Sequence, residues 1–178
     1  RKGLYQVAKP NEKGMSKASV DRAVDGIKST WKNAPDIEVV QSMNGLPQEL
    51  QDQAKADKVN PRGIYDPDTK KVWLVADNIS SDAQTAITLA HEALGHFGLR
   101  VALGSNFKPM MNQIYEGNKN VRERADAYMK EGLDKTTAVE EVLSEMAQEV
   151  YDTSVPESKL KPTRTALQKV MNALRQFL

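Results

Sequence analysis

Both histidines of the 178-residue sequence lie in one hexapeptide, His91–His96, which reads His-Glu-Ala-Leu-Gly-His. On a regular α-helix, a spacing of five residues would place the two imidazoles roughly 140° apart, too divergent to bind one ion. A π-bulge would absorb the extra residue, and the backbone freedom of Gly95 would ease it. The segment therefore predicts a π-bulge with converging histidines, unless His91 faces the core and His96 faces solvent on an ordinary helix.

Composition limits the side chains that could complete a metal site. The sequence contains no cysteine, which excludes disulfides, thiolate zinc sites and a cysteine nucleophile. A catalytic zinc ion takes three protein ligands and keeps one position open for water. Because there is no third histidine, the third ligand has to be a carboxylate, and the cofactor that fits such nitrogen and oxygen ligands is Zn²⁺.

The candidate source of that carboxylate is the segment 140–145, Glu-Glu-Val-Leu-Ser-Glu, which lies within a helical pattern. Glu141 and Glu145 are four residues apart and share a helix face, so one could bind metal while the other accepts the remaining N–H of a ligating histidine. An apolar stripe lies roughly opposite Glu141, which leaves Glu140 and Glu145 as flanking positions. Since glutamates are also common on solvated helix faces, the pattern does not choose among the three.

The order of elements along the chain predicts an α+β fold. Residues 1–15 are expected to form a loose arm, and residues 16–178 a single domain. Strands and helices are mixed in the first half while the second half is helical, which favours a small mixed or antiparallel sheet with segregated helices. The predicted helices cover about 16–32, 47–57, 81–103, 108–116, 121–130, 136–151 and 163–178, and the predicted strands cover 37–43, 63–65 and 72–75.

Local signals support several of these boundaries. Ser16 or Ser19 can cap the first helix, and Ser81 with Gln84 fits a capping box at the start of the helix that contains the histidines. The stretch 66–70, Asp-Pro-Asp-Thr-Lys, is a turn sequence between two apolar runs and predicts a hairpin.

Charge and hydropathy exclude several classes of partner. The 25 basic and 24 acidic residues nearly cancel, so nothing favours nucleic acid or an anionic membrane as the main partner. The longest apolar run, Val72–Ala76, is far shorter than the roughly 20 residues that span a bilayer. The chain begins with Arg1 and stops within a helical pattern at Leu178, which suggests a piece of a larger polypeptide. The lack of cysteine mildly favours a reducing, cytoplasmic compartment.

Two motifs resemble those of a known zincin family. His-Glu-Ala-Leu-Gly-His is similar to the H-E-x-x-G-H motif of dipeptidyl peptidase III, which has the same extra residue, and Glu-Glu-Val-Leu-Ser-Glu is similar to that family's second motif. The resemblance implies a zincin-like fold of the gluzincin type. It also implies that His91, His96 and Glu141 bind zinc and that Glu92 is the general base, while Glu140 and Glu145 support the histidines.

The resemblance covers the two motifs alone. The chain is too short for the two lobes of dipeptidyl peptidase III, so dipeptide release is not implied. The wider stretch from the hairpin through Arg100 resembles the metallopeptidase domains of very large phage and plasmid polyvalent proteins. That likeness implies a parent polypeptide of which this chain is one part.

The expected function is zinc-dependent hydrolysis of peptide bonds in a peptide or protein substrate, by metal-activated water with Glu92 as general base. The strand Val72–Ala76 either binds the substrate backbone along its edge or is simply buried, and its apolar character fits both interpretations. The candidate donors for the oxyanion, among which the sequence does not choose, are Tyr115, Tyr128, Tyr151 and Arg100. The alternative is a catalytically inactive structural or interaction module of a large phage-type protein, and a DNA-associated helical module is disfavoured by the near-neutral charge.

Overall fold

The computed structural model describes residues 5–9, 12–29, 31, 33–152, 156, 158, 165 and 168. By its internal contacts the chain divides into two compact units, 1–93 and 94–178, where the sequence predicts a single domain over 16–178. The first unit contains all the described strands, and the second unit is helical. The fold is therefore α+β, as predicted.

The first unit is built on a four-stranded mixed sheet in the described part of the chain. The strands are β1 (Tyr5–Val7), β2 (Asp36–Val40), β3 (Pro61–Asp66) and β4 (Lys71–Val75). Their order is β1-β3-β4-β2, with β1 and β4 antiparallel to β3 and with β2 parallel to β4. The first of these strands lies in the segment expected to be a loose arm, so Tyr5–Val7 departs from that expectation by pairing with β3.

The sheet order excludes one expectation about the substrate. β4 is paired along both sides, with β3 on one and β2 on the other, so the strand part of this segment, Val72–Val75, has no free edge for an added strand. The prediction that this strand binds substrate edge-on is wrong. Its apolar sequence instead reflects burial, because Val72, Leu74 and Val75 are fully buried.

The predicted hairpin is confirmed as β3 and β4. In the connecting turn, one Asp66 carboxylate oxygen accepts from the amide of Asp68 at 3.0 Å and the other accepts from the hydroxyl of Thr69 at 2.6 Å. Lys70 completes the turn with a positive φ of 57°. The aspartate thus fixes the turn in the way that the sequence predicts.

Three helices accompany the sheet: α1 (Lys17–Lys28), α2 (Gln48–Asp57) and α3 (Asp82–Leu89). Ser16 caps α1, which ends at Lys28 rather than near residue 32. Ser81 caps α3 by accepting from the amide of Gln84, whose side chain accepts from the amide of Ser80 at 2.7 Å. The capping box is therefore present with its return bond displaced by one residue. The apolar core between α2 and the sheet contains Val40, Leu46, Leu50, Ile64, Trp73 and Val75.

The helical run that begins with α3 continues as a π-helix, Ala90–Phe97, and then as α4 (Gly98–Leu103). The second unit adds α5 (Phe107–Gly117), α6 (Lys119–Lys130) and α7 (Lys135–Tyr151). These helices match the predicted ones within a few residues. The predicted helix over 163–178 falls outside the described residues except for positions 165 and 168. The core of the unit contains Leu103, Phe107, Met110, Met111, Ile114, Val121, Ala125, Ala138, Val139, Val142, Leu143 and Met146.

In the described residues, no helix combines the length and the apolar character that crossing a membrane requires.

Candidate metal centre

The two histidines lie on the π-helix Ala90–Phe97, which extends over the whole motif. Its i→i+5 hydrogen bonding widens each turn, so residues five positions apart come to the same side of the helix. The predicted departure from α-helical geometry is therefore present, and it is longer than a single-turn bulge. His91 and His96 are both buried, which contradicts the alternative in which His96 points to solvent.

Gly95 has a different role from the one the sequence suggests. It is not among the glycines with positive φ, so the π-helix does not use its backbone freedom. A Cβ atom at this position would instead lie 2.6 Å from Cα of Ser144 and 2.5 Å from its Oγ. Glycine is needed because the backbone around His96 passes so close to α7.

His96 is fixed through its Nδ1 atom. Nδ1 lies 3.2 Å from Oγ of Ser144 and 3.2 Å from Oε1 of Glu140. The Ser144 hydroxyl donates to the backbone carbonyl of Glu140 at 2.9 Å, so its oxygen is left to accept from the imidazole. Nδ1 therefore carries the proton, and Nε2 presents a lone pair toward Glu141, whose Oε1 is 3.7 Å away. This is the tautomer that a metal-binding histidine requires when its other nitrogen is hydrogen-bonded.

Glu140 is a fully buried anion that is hydrogen-bonded to the guanidinium of Arg100 and to the imidazole of His96. Arg100 donates from Nε to one carboxylate oxygen and from a terminal nitrogen to the other, both at 2.6 Å. Burial raises the pKa of Glu140, but the hydrogen bonds from His96 and Arg100 outweigh it and hold that pKa below its ordinary value. Glu140 thus supports His96, as the family resemblance implies. Arg100, considered above as an oxyanion donor, is engaged in this fork and lies over the Phe107 ring.

Glu141 is the glutamate that the structure brings to the histidines. One nitrogen from each of His91 and His96 and one carboxylate oxygen of Glu141 lie within 4.8 Å of one another, and all three residues are buried. Zinc bonds to such atoms are about 2.0–2.2 Å long, so tetrahedral ligands lie roughly 3.4 Å apart. The three residues can therefore hold a metal ion with small side-chain adjustments.

Glu145, expected to support a histidine, accepts hydrogen bonds from Tyr128 and Arg124 instead. Burial and the bond to Glu145 raise the pKa of Tyr128, which keeps its hydroxyl protonated. Tyr115, the second candidate oxyanion donor, donates to Asp126 at 2.5 Å. The side chain of Tyr151 lies outside the described residues.

Glu92 is fully buried and reaches the sheet of the first unit. Its Oε1 accepts from the backbone amide of Gln6 in β1 at 3.0 Å. Gly63 in β3 makes room for it, because a Cβ there would lie 2.9 Å from Cγ of Glu92 and 2.6 Å from Cγ2 of Thr88.

Sequence reasoning missed Gly63, Gln6 and Ser144, since their contacts join residues distant along the chain. Arg100 could have been noticed as a metal-site residue from its position four residues after His96 on a helix.

Neither a protein family, nor a curated protein, nor a solved structure matches this chain.

Proposed function

We propose that this chain is a zinc-dependent peptidase of the zincin class that hydrolyses peptide bonds in a peptide or protein substrate. The observation that supports this most is the grouping of His91, His96 and Glu141, together with the hydrogen bonds that leave Nε2 of His96 directed at Glu141. The motif order, with two histidines on one helix and the glutamate on a later helix, is the order expected of a gluzincin. A place within a larger phage or plasmid protein is part of the same proposal.

The donor set fits zinc. Two imidazole nitrogens and one carboxylate oxygen are the protein ligands of many catalytic zinc sites, and such sites keep a fourth position open. When bound, zinc supplies Lewis acidity toward water and toward a peptide carbonyl. The chain's own contribution is to hold His96 in the Nδ1–H tautomer through Glu140 and Ser144, so that the imidazole is ready to bind before metal arrives.

Glu92 is the proposed general base. It directly follows His91 and has a buried carboxylate, and its Oε1 accepts a hydrogen bond from the backbone amide of Gln6 at 3.0 Å, so this carboxylate can bind a peptide N–H. In hydrolysis the carboxylate takes a proton from the attacking water and passes it to the amide nitrogen that leaves. Burial excludes bulk water from competing for that proton.

Zinc content after reconstitution tests the site directly. We expect about one zinc ion per chain in the wild type and less than about 0.2 in His96→Ala and Glu141→Gln, because a site with two remaining ligands binds far more weakly. The matched control is Glu123→Gln, which removes a carboxylate that is 65% exposed and paired with Lys119. Zinc below about 0.2 per chain in the wild type, or full occupancy in Glu141→Gln, would contradict the proposed ligand set.

A further inference from the structure

The backbone of β1 donates a hydrogen bond to the carboxylate of Glu92, the proposed base. We propose that β1 is an intramolecular inhibitor, which holds Glu92 through the amide of Gln6 and has to leave the edge of β3 before a peptide substrate can engage that carboxylate. The inference rests on the proposed function, because it takes Glu92 as the base. It adds that, in the described structure, β1 blocks the access of a substrate to Glu92.

The contacts of Gln6 resemble those that a bound peptide would make. Its backbone N–H donates to Oε1 of Glu92 at 3.0 Å, and its side-chain Oε1 lies 3.5 Å from the hydroxyl of Thr88. Thr88 and Glu92 are four residues apart and both pass over Gly63. A backbone amide is common to every peptide, so a substrate strand could replace this donor without any change in the recognition chemistry.

The attachment of β1 is small enough to be reversible. The strand has three residues and lies at the edge of the sheet, and its register with β3 is irregular between Gln6 and Val7. Val7 is 46% exposed, and the amide of Ala8 adds one bond to the carbonyl of Asn60 at 2.8 Å. Short edge strands contribute little independent stability, so release of β1 need not disrupt the sheet.

The chain beyond β1 is anchored separately. Glu12 forms an ion pair with Arg62, which is largely buried, and it also accepts from Gln84. The amide of Met15 donates to the carbonyls of Ala76 and Ile79 at 3.1 and 2.8 Å. Because these bonds lie after β1 along the chain, β1 can leave while the following segment stays in place and keeps it near the site.

The first test uses the zinc-loaded full chain and a generic protein substrate such as casein. Gln6→Pro removes the N–H that binds Glu92, and the control Val7→Ala shortens an exposed side chain of the same strand while keeping that N–H. Because a hydrogen bond to a charged group is lost, we expect Gln6→Pro to raise the initial rate about tenfold or more and Val7→Ala to leave it within about twofold of the wild type. Equal rates in all three active proteins would overturn the inference and leave the proposed function standing.

A second test does not depend on how Gln6→Pro folds. A synthetic peptide of residues 1–9 is expected to slow the hydrolysis of casein by the zinc-loaded wild type. The same peptide with an N-methylated Gln6 amide is expected to have no effect, because methylation removes the donor. Equal effects of the two peptides would overturn the role of the Gln6 amide.

Hydrogen exchange gives a readout without hydrolysis. In Glu92→Ala the amide of Gln6 should exchange about tenfold faster than in the wild type, and unchanged exchange would overturn the inference. Faster exchange combined with no hydrolysis by any zinc-loaded variant would mean that Glu92 holds β1 but that the proposed function is wrong. The inhibitory role of β1 would then be wrong as well.

Discussion

Glu92 and Glu140 are both fully buried glutamates, one in each unit of the chain, yet their carboxylates are held by different kinds of donor. Glu140 accepts a two-pronged bond from Arg100 and a further bond from the imidazole of His96. Glu92 accepts from the neutral backbone amide of Gln6. The first arrangement keeps a carboxylate anionic and fixed, whereas the second uses a donor that another peptide could supply.

The difference between these donors suits Glu140 to a supporting role and Glu92 to the role in proton transfer that we propose for it. A buried carboxylate is stable as an anion when it is paired and hydrogen-bonded, and Glu140 meets both conditions. Such a group orients a ligand but has little freedom to exchange protons. Glu92 is bound by a donor that a substrate peptide could replace, which suits the role of general base that we propose for it.

The largest expected effect comes from Glu92→Gln. The variant should bind zinc as well as the wild type while losing about 10²- to 10⁴-fold in hydrolysis of casein, because the amide cannot take up a proton. Zinc content and initial rate, each measured beside Glu123→Gln, check both halves. A variant that cuts as fast as the parent would remove Glu92 from the mechanism. If neither the zinc-loaded wild type nor zinc-loaded Gln6→Pro cuts casein, the inactive interaction module would be favoured.

The next effect distinguishes two roles for Arg100. If Arg100 positions His96 through Glu140, then Arg100→Gln should weaken zinc binding about 10- to 100-fold, as loss of a residue that orients a ligand typically does. If it stabilises the oxyanion instead, zinc affinity should stay constant and the catalytic constant should fall. Competition with a chelator of known affinity separates the outcomes. Arg100→Lys is expected to be intermediate, because lysine keeps the charge and loses the fork.

Local patterns were sufficient for much of the fold. The caps at Ser16 and Ser81 and the turn after Asp66 each depend on atoms a few residues apart, and the structure has all three. The five-residue spacing of the histidines predicted a departure from α-helical geometry for a similar reason: the constraint lies within the hexapeptide. These features could be read from sequence because their energetics are local.

Contacts between distant residues could not be predicted in this way. The pairing of β1 with β3 joins residues about sixty positions apart, and Ser144 contacts His96 across 48 positions. Periodicity also disfavoured Glu141 as a ligand, since an apolar stripe lies roughly opposite it on α7. The structure buries Glu140 and Glu141 as well as the apolar residues Val139, Val142, Leu143 and Met146, so the stripe did not define the only buried face. Burial on two sides depends on what packs around a helix, which its own sequence does not contain.

Gly95 and Gly63 each lie where an added side chain would collide with a neighbour, one beside His96 and the other beside Glu92. An added methyl group at Gly95 would overlap Ser144 beside His96, and one at Gly63 would overlap Thr88 and Glu92. Overpacking of this kind costs about 1–3 kcal/mol, so both alanine variants should lower the free energy of unfolding. Gly95→Ala should also weaken zinc binding, whereas Gly63→Ala should reduce hydrolysis at full zinc occupancy.

Gly26 is the matched control for both glycines, because nothing lies within 4 Å of a Cβ added there inside α1. Gly26→Ala should stabilise the chain by about 0.5–1 kcal/mol through its better helix propensity. Chemical denaturation and zinc titration of the three variants give the comparison. Unchanged zinc binding in Gly95→Ala would show that the close approach at Ser144 does not determine where His96 lies.

The smallest effect concerns the start of α7, the helix that carries Glu140 and Glu141. Asp134 caps it by accepting from the amide of Thr137 at 3.1 Å and from its hydroxyl at 2.6 Å. Burial raises the pKa of Asp134, but the hydrogen bonds from Thr137 outweigh it and hold the pKa below its ordinary value. Asp134→Ala should therefore cost about 1 kcal/mol at neutral pH.

The sign of the pH dependence follows from that lowered pKa. The contribution of the ionised cap is present above the pKa of Asp134 in the unfolded chain, near 3.9, and is lost as pH falls through the lower folded value. The stability difference between the wild type and Asp134→Ala should thus shrink in acid, and Asp134→Asn, which caps without charge, should differ from Asp134→Ala by the same amount at every pH. Denaturation curves from neutral pH to about pH 2 measure both differences. A wild-type advantage over alanine that is constant with pH would mean that the cap at the start of α7 acts through geometry alone and that the charge of Asp134 contributes nothing to it.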